Sequence, residues 1–223
     1  MRLYNHLPNY ILLVLYIITG SLSNFKAIDI LAPQWIYLGA VNILACLYFL
    51  FFNSSAQVGL SKLSKSIFIY VYLFYFLWSG LSYFYAINPT ETLLNLPRLG
   101  NTFFAVFFCF LLLNNLKNKV VFISRIFIGF LCFELLSFYS DFFTQLETKD
   151  FNAMNLKGVA GNKNITAASI AFKVPFVLYS IVTVRKGLLK IILSFILFAA
   201  LFSISVLYAR AAILSSFIVF IIF

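Results

Sequence analysis

Eight apolar runs divide the 223-residue chain, at 8–22, 31–52, 66–86, 94–113, 120–140, 165–184, 188–208 and from 210 onward. Each is close to the roughly 20 residues that a helix needs to cross a hydrocarbon layer. Within such a layer the backbone must satisfy its own polar groups, which a helix does without help from neighbours. The expected fold is therefore all-α: a polytopic transmembrane helical bundle of about seven full spans plus the start of an eighth, as a single transmembrane domain over 1–223. The first run follows Met1-Arg2 and ends at Gly20-Ser21-Leu22-Ser23, as a signal peptide does. The many spans downstream favour an uncleaved first helix.

Composition enters as a test of that reading. A chain that is 63% apolar and 10% charged lacks the polar surface of a soluble domain, which carries about 25% charged residues. No nucleic-acid partner, secreted disulfide scaffold or cytosolic catalytic domain fits it. Cys46, Cys109 and Cys132 lie in separate apolar runs and read as small buried hydrophobes.

The formal charge of +10 is informative through its distribution. With the N-terminus in the cytoplasm, the inner segments hold Arg2, Lys62, Lys65, Lys117, Lys119, Arg125, Arg185, Lys186 and Lys190 and no acid. The outer segments hold Lys26, Arg98, Lys149, Lys157, Lys163 and Arg210 beside Asp29, Glu91, Asp141, Glu147 and Asp150. Basic residues concentrate on the cytoplasmic side of membrane proteins, so this pattern supports the span order and an inside N-terminus. The one extended outer segment is 141–163, and any chemistry in the chain has most room there.

Two ionisable residues fall inside runs, Glu134 in the fifth and Lys173 in the sixth. Their depths differ by about 4 to 5 Å at the helical rise per residue, within reach of two long side chains on antiparallel neighbours. Charges at such depth need a partner, and an ion pair that locks the two helices is expected. Pro175 should free the carbonyl of Ala171. The crowded Tyr70, Tyr72, Tyr75, Trp78, Tyr83 and Tyr85 read as an interfacial belt, with a sugar-stacking platform near Tyr83 and Tyr85 as the alternative.

The segment Gly158-Val159-Ala160-Gly161-Asn162-Lys163-Asn164-Ile165-Thr166 combines two glycines, a capping asparagine and a lysine at the start of the sixth run. Helix N-terminal amides with a lysine beside them suit a phosphate or diphosphate; a capped helix with an interfacial lysine accounts for the same residues. Arg210 opens the last run among small residues and suits bidentate phosphate binding, or else snorkels to headgroups. Arg98 sits on the same expected face, at the connection of the third and fourth runs. The two sequons, Asn164-Ile165-Thr166 and Asn53-Ser54-Ser55, are short enough to arise by chance. No metal-ligand cluster, Ser/His/Asp set or carboxylate pair is present, and the only histidine is His6.

Gly161-Asn162-Lys163-Asn164 at a helix start, followed by a Ser/Thr-rich helix end and the step Tyr208-Ala209-Arg210-Ala211-Ala212, resembles the O-antigen ligase and polymerase family. Asn88-Pro89-Thr90-Glu91 and the helix after Arg98 are similar to its N-terminal half. Members are bacterial inner-membrane glycosyltransferases that take a glycan from an undecaprenyl-diphosphate-linked donor at the periplasmic face. They pass it to lipid A core, a growing glycan or protein, and use neither metal nor cofactor.

The resemblance implies that Arg210 binds the donor diphosphate, and it matches Asn162, Lys163 and Asn164 to the family's turn; by topology Arg98, Lys163 and Arg210 converge on the outer interface, where an anionic headgroup or a lipid-linked diphosphate is their expected partner. The chain departs from the family at Lys163, where the family's Gly-Asn-Pro-Asn turn has proline, and it lacks the family's large outer loop with a second arginine and a histidine. The expectation is an N-terminal portion or truncated product, inactive alone. The alternative from another class is a polysaccharide flippase or other multi-span transporter, with Glu134 and Lys173 lining a pathway. A scaffold subunit of a membrane complex is the third reading.

Overall fold

The computed structural model describes residues 7–22, 32–51, 61, 63–147, 156, 158–159 and 162–222. Among them every regular element is helical. Among the described residues six helices are long and apolar enough to cross a membrane, so the chain is a multi-pass membrane protein. His6, the Asn53 sequon, Lys157 and Gly161 lie outside the described residues. The helices group into two units, residues 1–117 and 118–223, where the sequence reading has one domain.

The first unit holds α1 (Leu7–Ile18), closed by a 3₁₀ turn at Thr19–Ser21, then α2 (Ala32–Phe51), α3 (Ile67–Leu81) with a 3₁₀ end at Ser82–Phe84, and α4 (Pro89–Asn114). At 12 residues, α1 is shorter than the run expected to cross at 8–22. Helix α4 is the hub, touching α1, α2 and α3. An uncharged polar ladder joins three of the four. The Tyr16 hydroxyl donates to Asn42 Oδ1 at 2.8 Å, the Asn42 amide donates to the Asn101 carbonyl at 2.9 Å and to its side-chain oxygen, and the Asn101 amide donates to the Trp35 carbonyl at 3.0 Å.

Helix α4 starts earlier than the apolar run at 94–113 implies. Asn88 caps it by accepting the Glu91 amide at 3.4 Å, Pro89 stands in the first turn where no amide partner is needed, and Glu91 meets the positive helix end. Arg98 is therefore inside a helix, and its expected place in a connection is corrected. Pro97 is carried within α4 as well.

The second unit comprises α5 (Lys119–Glu147), α6 (Lys163–Thr183), α7 (Gly187–Val206) and α8 (Arg210–Ile222). Here α6 is central, packed on α5, α7 and α8. Its buried positions include Ala167, Ile170, Ala171, Val174 and Val177, with Leu131, Leu135 and Phe138 from α5 and Ala200 and Ile204 from α7 in the same core. Small side chains on α6 and α7 bring backbones close, which is how helices associate where lipid is as apolar as leucine. Helix α5 runs to Glu147, so Asp141 and Glu147 are helical and not part of an outer loop.

Two tight turns position the ends of α6 and α8. Leu156 is fully buried in the core of this unit, and Gly158 follows with φ +53. A Cβ on Gly158 would meet Thr166 Cγ2 at 2.9 Å, on a side chain that is itself buried. Between α7 and α8, Tyr208 takes φ 50, a left-handed conformation unusual for a bulky residue. Leu207 and Ala209 on either side of it are buried, while Tyr208 is exposed. Gly158→Ala is expected to cost about 1–3 kcal/mol from its positive φ and the Thr166 clash together. Gly187→Ala, where nothing lies within 4 Å, should leave the thermal midpoint of the purified protein unchanged or raise it; equal midpoints for the two variants would contradict the turn assignment.

Candidate functional site

Lys173 on α6 reaches both oxygens of Glu134 on α5, at 2.9 Å each, with both side chains less than a tenth exposed. Ser169, one turn before Lys173, completes the group. Lys173 Nζ donates to its hydroxyl at 2.6 Å and to its carbonyl at 3.1 Å, and the hydroxyl donates to Glu134 Oε1 at 2.8 Å. Every ammonium proton has an acceptor, as a charge in a low-dielectric interior requires. Lys173 and the Ser169 hydroxyl both donate to the same carboxylate, and Lys173 donates to that hydroxyl as well. The group is a clamp between helices and not a nucleophile with its base. Ser169 has no place in the sequence reading, because one serine in an apolar helix has no distinguishing pattern.

At one end of the second unit, α6 opens with Asn162 as its cap. The Asn162 side chain accepts the Asn164 amide at 2.9 Å and its carbonyl accepts the Thr166 amide at 2.9 Å. Lys163 is the first residue of α6 and half-buried; Asn162 and Asn164 are exposed. Short turns at 184–186 and 207–209 reverse the chain twice, so α6 and α8 run in the same direction. Their N-termini share an end. Arg210, the first residue of α8, is exposed there.

Neither helix has an acid in its first turn, and among the described residues neither Lys163 nor Arg210 has an ion-pair partner. A cation at a helix start opposes the macrodipole, at a cost of about 0.3–1 kcal/mol each. Two such placements at the same end of the unit are poor for stability and well placed for an anion. Below them, α6 and α8 leave a cleft of about 530 Å³ between Ala168, Ala171, Phe172 and Pro175 on one side and Ala212 and Ser215 on the other. Its walls are apolar, and the small side chains keep it open.

Arg98 belongs to the first unit. Its guanidinium lies 6.0 Å from the centre of the Trp35 ring and contacts Asn95 Oδ1 at 3.4 Å. It borders a cleft of about 500 Å³ that also holds Glu91. The structure thus brings Glu134 to Lys173 and sets Asn162, Lys163, Asn164 and Arg210 at one end of the second unit, while Arg98 sits among other neighbours. Among the described residues no group of His, Cys, Asp and Glu is arranged to hold a metal ion.

No family model, curated protein or solved structure matches the chain.

Removing one member of the clamp strands the other charge, so Glu134→Gln and Lys173→Met should each destabilise by about 3–5 kcal/mol. The double variant should recover part of that loss, with a coupling of about 1–3 kcal/mol in a double-mutant cycle measured by unfolding in mixed micelles. Additive losses would mean that the two charges do not act as a pair.

Proposed function

We propose that the second unit binds a polyprenyl-diphosphate-linked glycan, with the diphosphate at the N-termini of α6 and α8 and the polyprenyl chain in the apolar cleft between them. The observation that carries this reading is the pairing of two basic helix starts, Lys163 and Arg210, with an apolar cleft formed by the same two helices. A cationic head over an apolar slot matches a long-chain lipid phosphate in both charge and shape. Exposed Asn162 and Asn164 supply amide groups beside the phosphate oxygens.

This agrees with the motif resemblance to O-antigen ligases and polymerases. We read the protein as a donor-binding membrane protein of that kind, in a bacterial inner membrane with the N-terminus inside. In transfer to lipid A core, a glycan or a protein, an acceptor hydroxyl oxygen bonds to the sugar C1 and gives up its proton to water, while the bond from C1 to the diphosphate oxygen breaks and that oxygen keeps the electron pair. Lys163, Arg210 and the helix amides stabilise that growing negative charge. The transporter reading fits the second unit less well, because the Glu134–Lys173 pair is closed on itself and buried.

In nanodiscs, Arg210→Ala should weaken binding of undecaprenyl diphosphate by about tenfold or more, as expected for the loss of a charge-assisted bidentate contact. Arg210→Lys should fall between, since lysine keeps the charge without the planar fork. Unchanged affinity in Arg210→Ala would overturn the donor assignment.

A further inference from the structure

The first unit carries two clefts between α3 and α4 that meet at one residue. Near the end where α3 closes and α4 opens, the cleft of about 500 Å³ is lined by Trp35, Tyr75, Ser82, Glu91, Asn95 and Arg98. Further along the same two helices lies a second cleft of about 630 Å³, walled by Phe68, Tyr72, Phe103, Val106 and Phe107. Tyr75 borders both. The polar part is confined to one end and the apolar part occupies the rest, as in an amphiphile with one head and one hydrocarbon body.

Three features select the head. Glu91 and Arg98 give the polar cleft one charge of each sign, so it has no net attraction for a phosphate, and the carboxylate would repel one. Arg98 is already engaged with the Trp35 ring and with Asn95. The remaining polar groups are hydroxyls and an amide, set among the aromatic side chains of Trp35 and Tyr75. Hydroxyl-rich rings with an apolar C–H face need this mixture of acceptors, donors and flat aromatic surface.

The apolar cleft points the same way. None of the residues of α3 is buried, and the helix is held to α4 by one edge, through the Tyr72 hydroxyl on the Leu99 carbonyl at 2.9 Å and the Tyr72–Phe103 ring contact at 5.3 Å. Apart from Ser66, the side chains that wall this cleft are aromatic or aliphatic, a surface for acyl chains.

We infer that the α3–α4 face is a binding site for a glycolipid, with a neutral sugar headgroup between Trp35, Glu91 and Asn95 and its hydrocarbon chain along Phe103 and Phe107. This ligand is distinct from the lipid diphosphate of the second unit, and the inference does not rest on that reading.

The test is native mass spectrometry of the whole protein released from micelles containing equal amounts of monoglucosyl diacylglycerol and phosphatidylglycerol with the same acyl chains. The glycolipid should be retained with a preference of about tenfold. Asn95→Ala, at an exposed position that leaves folding intact, and Trp35→Leu should each lower that preference at least severalfold. Val106→Trp, which fills the apolar cleft, should lower retention of the glycolipid itself. Equal retention of the two lipids, a preference for phosphatidylglycerol, or a sugar preference unchanged in both Asn95→Ala and Trp35→Leu would overturn the site.

Discussion

A carboxylate and an ammonium inside an apolar bundle can be neither hydrated nor separated cheaply. Glu134 and Lys173 meet that constraint by facing each other at 2.9 Å with Ser169 between helix backbone and carboxylate. The consequence reaches beyond the pair. Helix α6 is the element on which α5, α7 and α8 all pack, so fixing its depth and rotation against α5 also fixes where its N-terminus stands relative to α8. Hydrophobic burial alone would hold these helices together but would tolerate a slip along their axes, because lipid and leucine are equally good neighbours. A charged clamp tolerates no such slip.

The first unit solves the same problem without charge. Tyr16, Asn42 and Asn101 pass hydrogen bonds from α1 to α2 to α4 and end on the Trp35 carbonyl. Both amide side chains act as donor and acceptor at once, so each group is used in place of water. Helix α3 has no such tie on its outer faces, and the two clefts that border it follow from its attachment by one edge. In each unit the polar contacts hold some helices rigidly, and the open apolar space lies beside helices that they leave less constrained.

The sequence shows the long apolar helices clearly, since run length is set by bilayer thickness and needs no knowledge of packing. The ion pair is legible too, because two charges in apolar runs have few ways to be satisfied. Asn42 and Asn101 carry no such sign, as uncharged amides in apolar helices occur for several reasons and only the crossing of α2 and α4 pairs them. The start of α4 lies earlier than the apolar run at 94–113 because Asn88 and Pro89 open the helix with polar residues that hydrophobicity does not register. The φ of Tyr208 has no sequence sign at all, since tyrosine rarely adopts it. The capped turn at Asn162 was readable from local chemistry, but the cleft beneath it depends on how Ala168 and Ala171 face Ala212 and Ser215.

The central claim is that two basic helix starts and one apolar cleft form a single lipid-diphosphate site. It is tested most directly by site-specific photocrosslinking, with benzoylphenylalanine placed at Phe172 in the cleft between α6 and α8 or at Phe195 on α7, both exposed to surrounding lipid. The account predicts that radiolabelled undecaprenyl diphosphate crosslinks at position 172, that unlabelled lipid competes this away, and that position 195 gives little product. Equal labelling at both positions, unaffected by competitor, would contradict it.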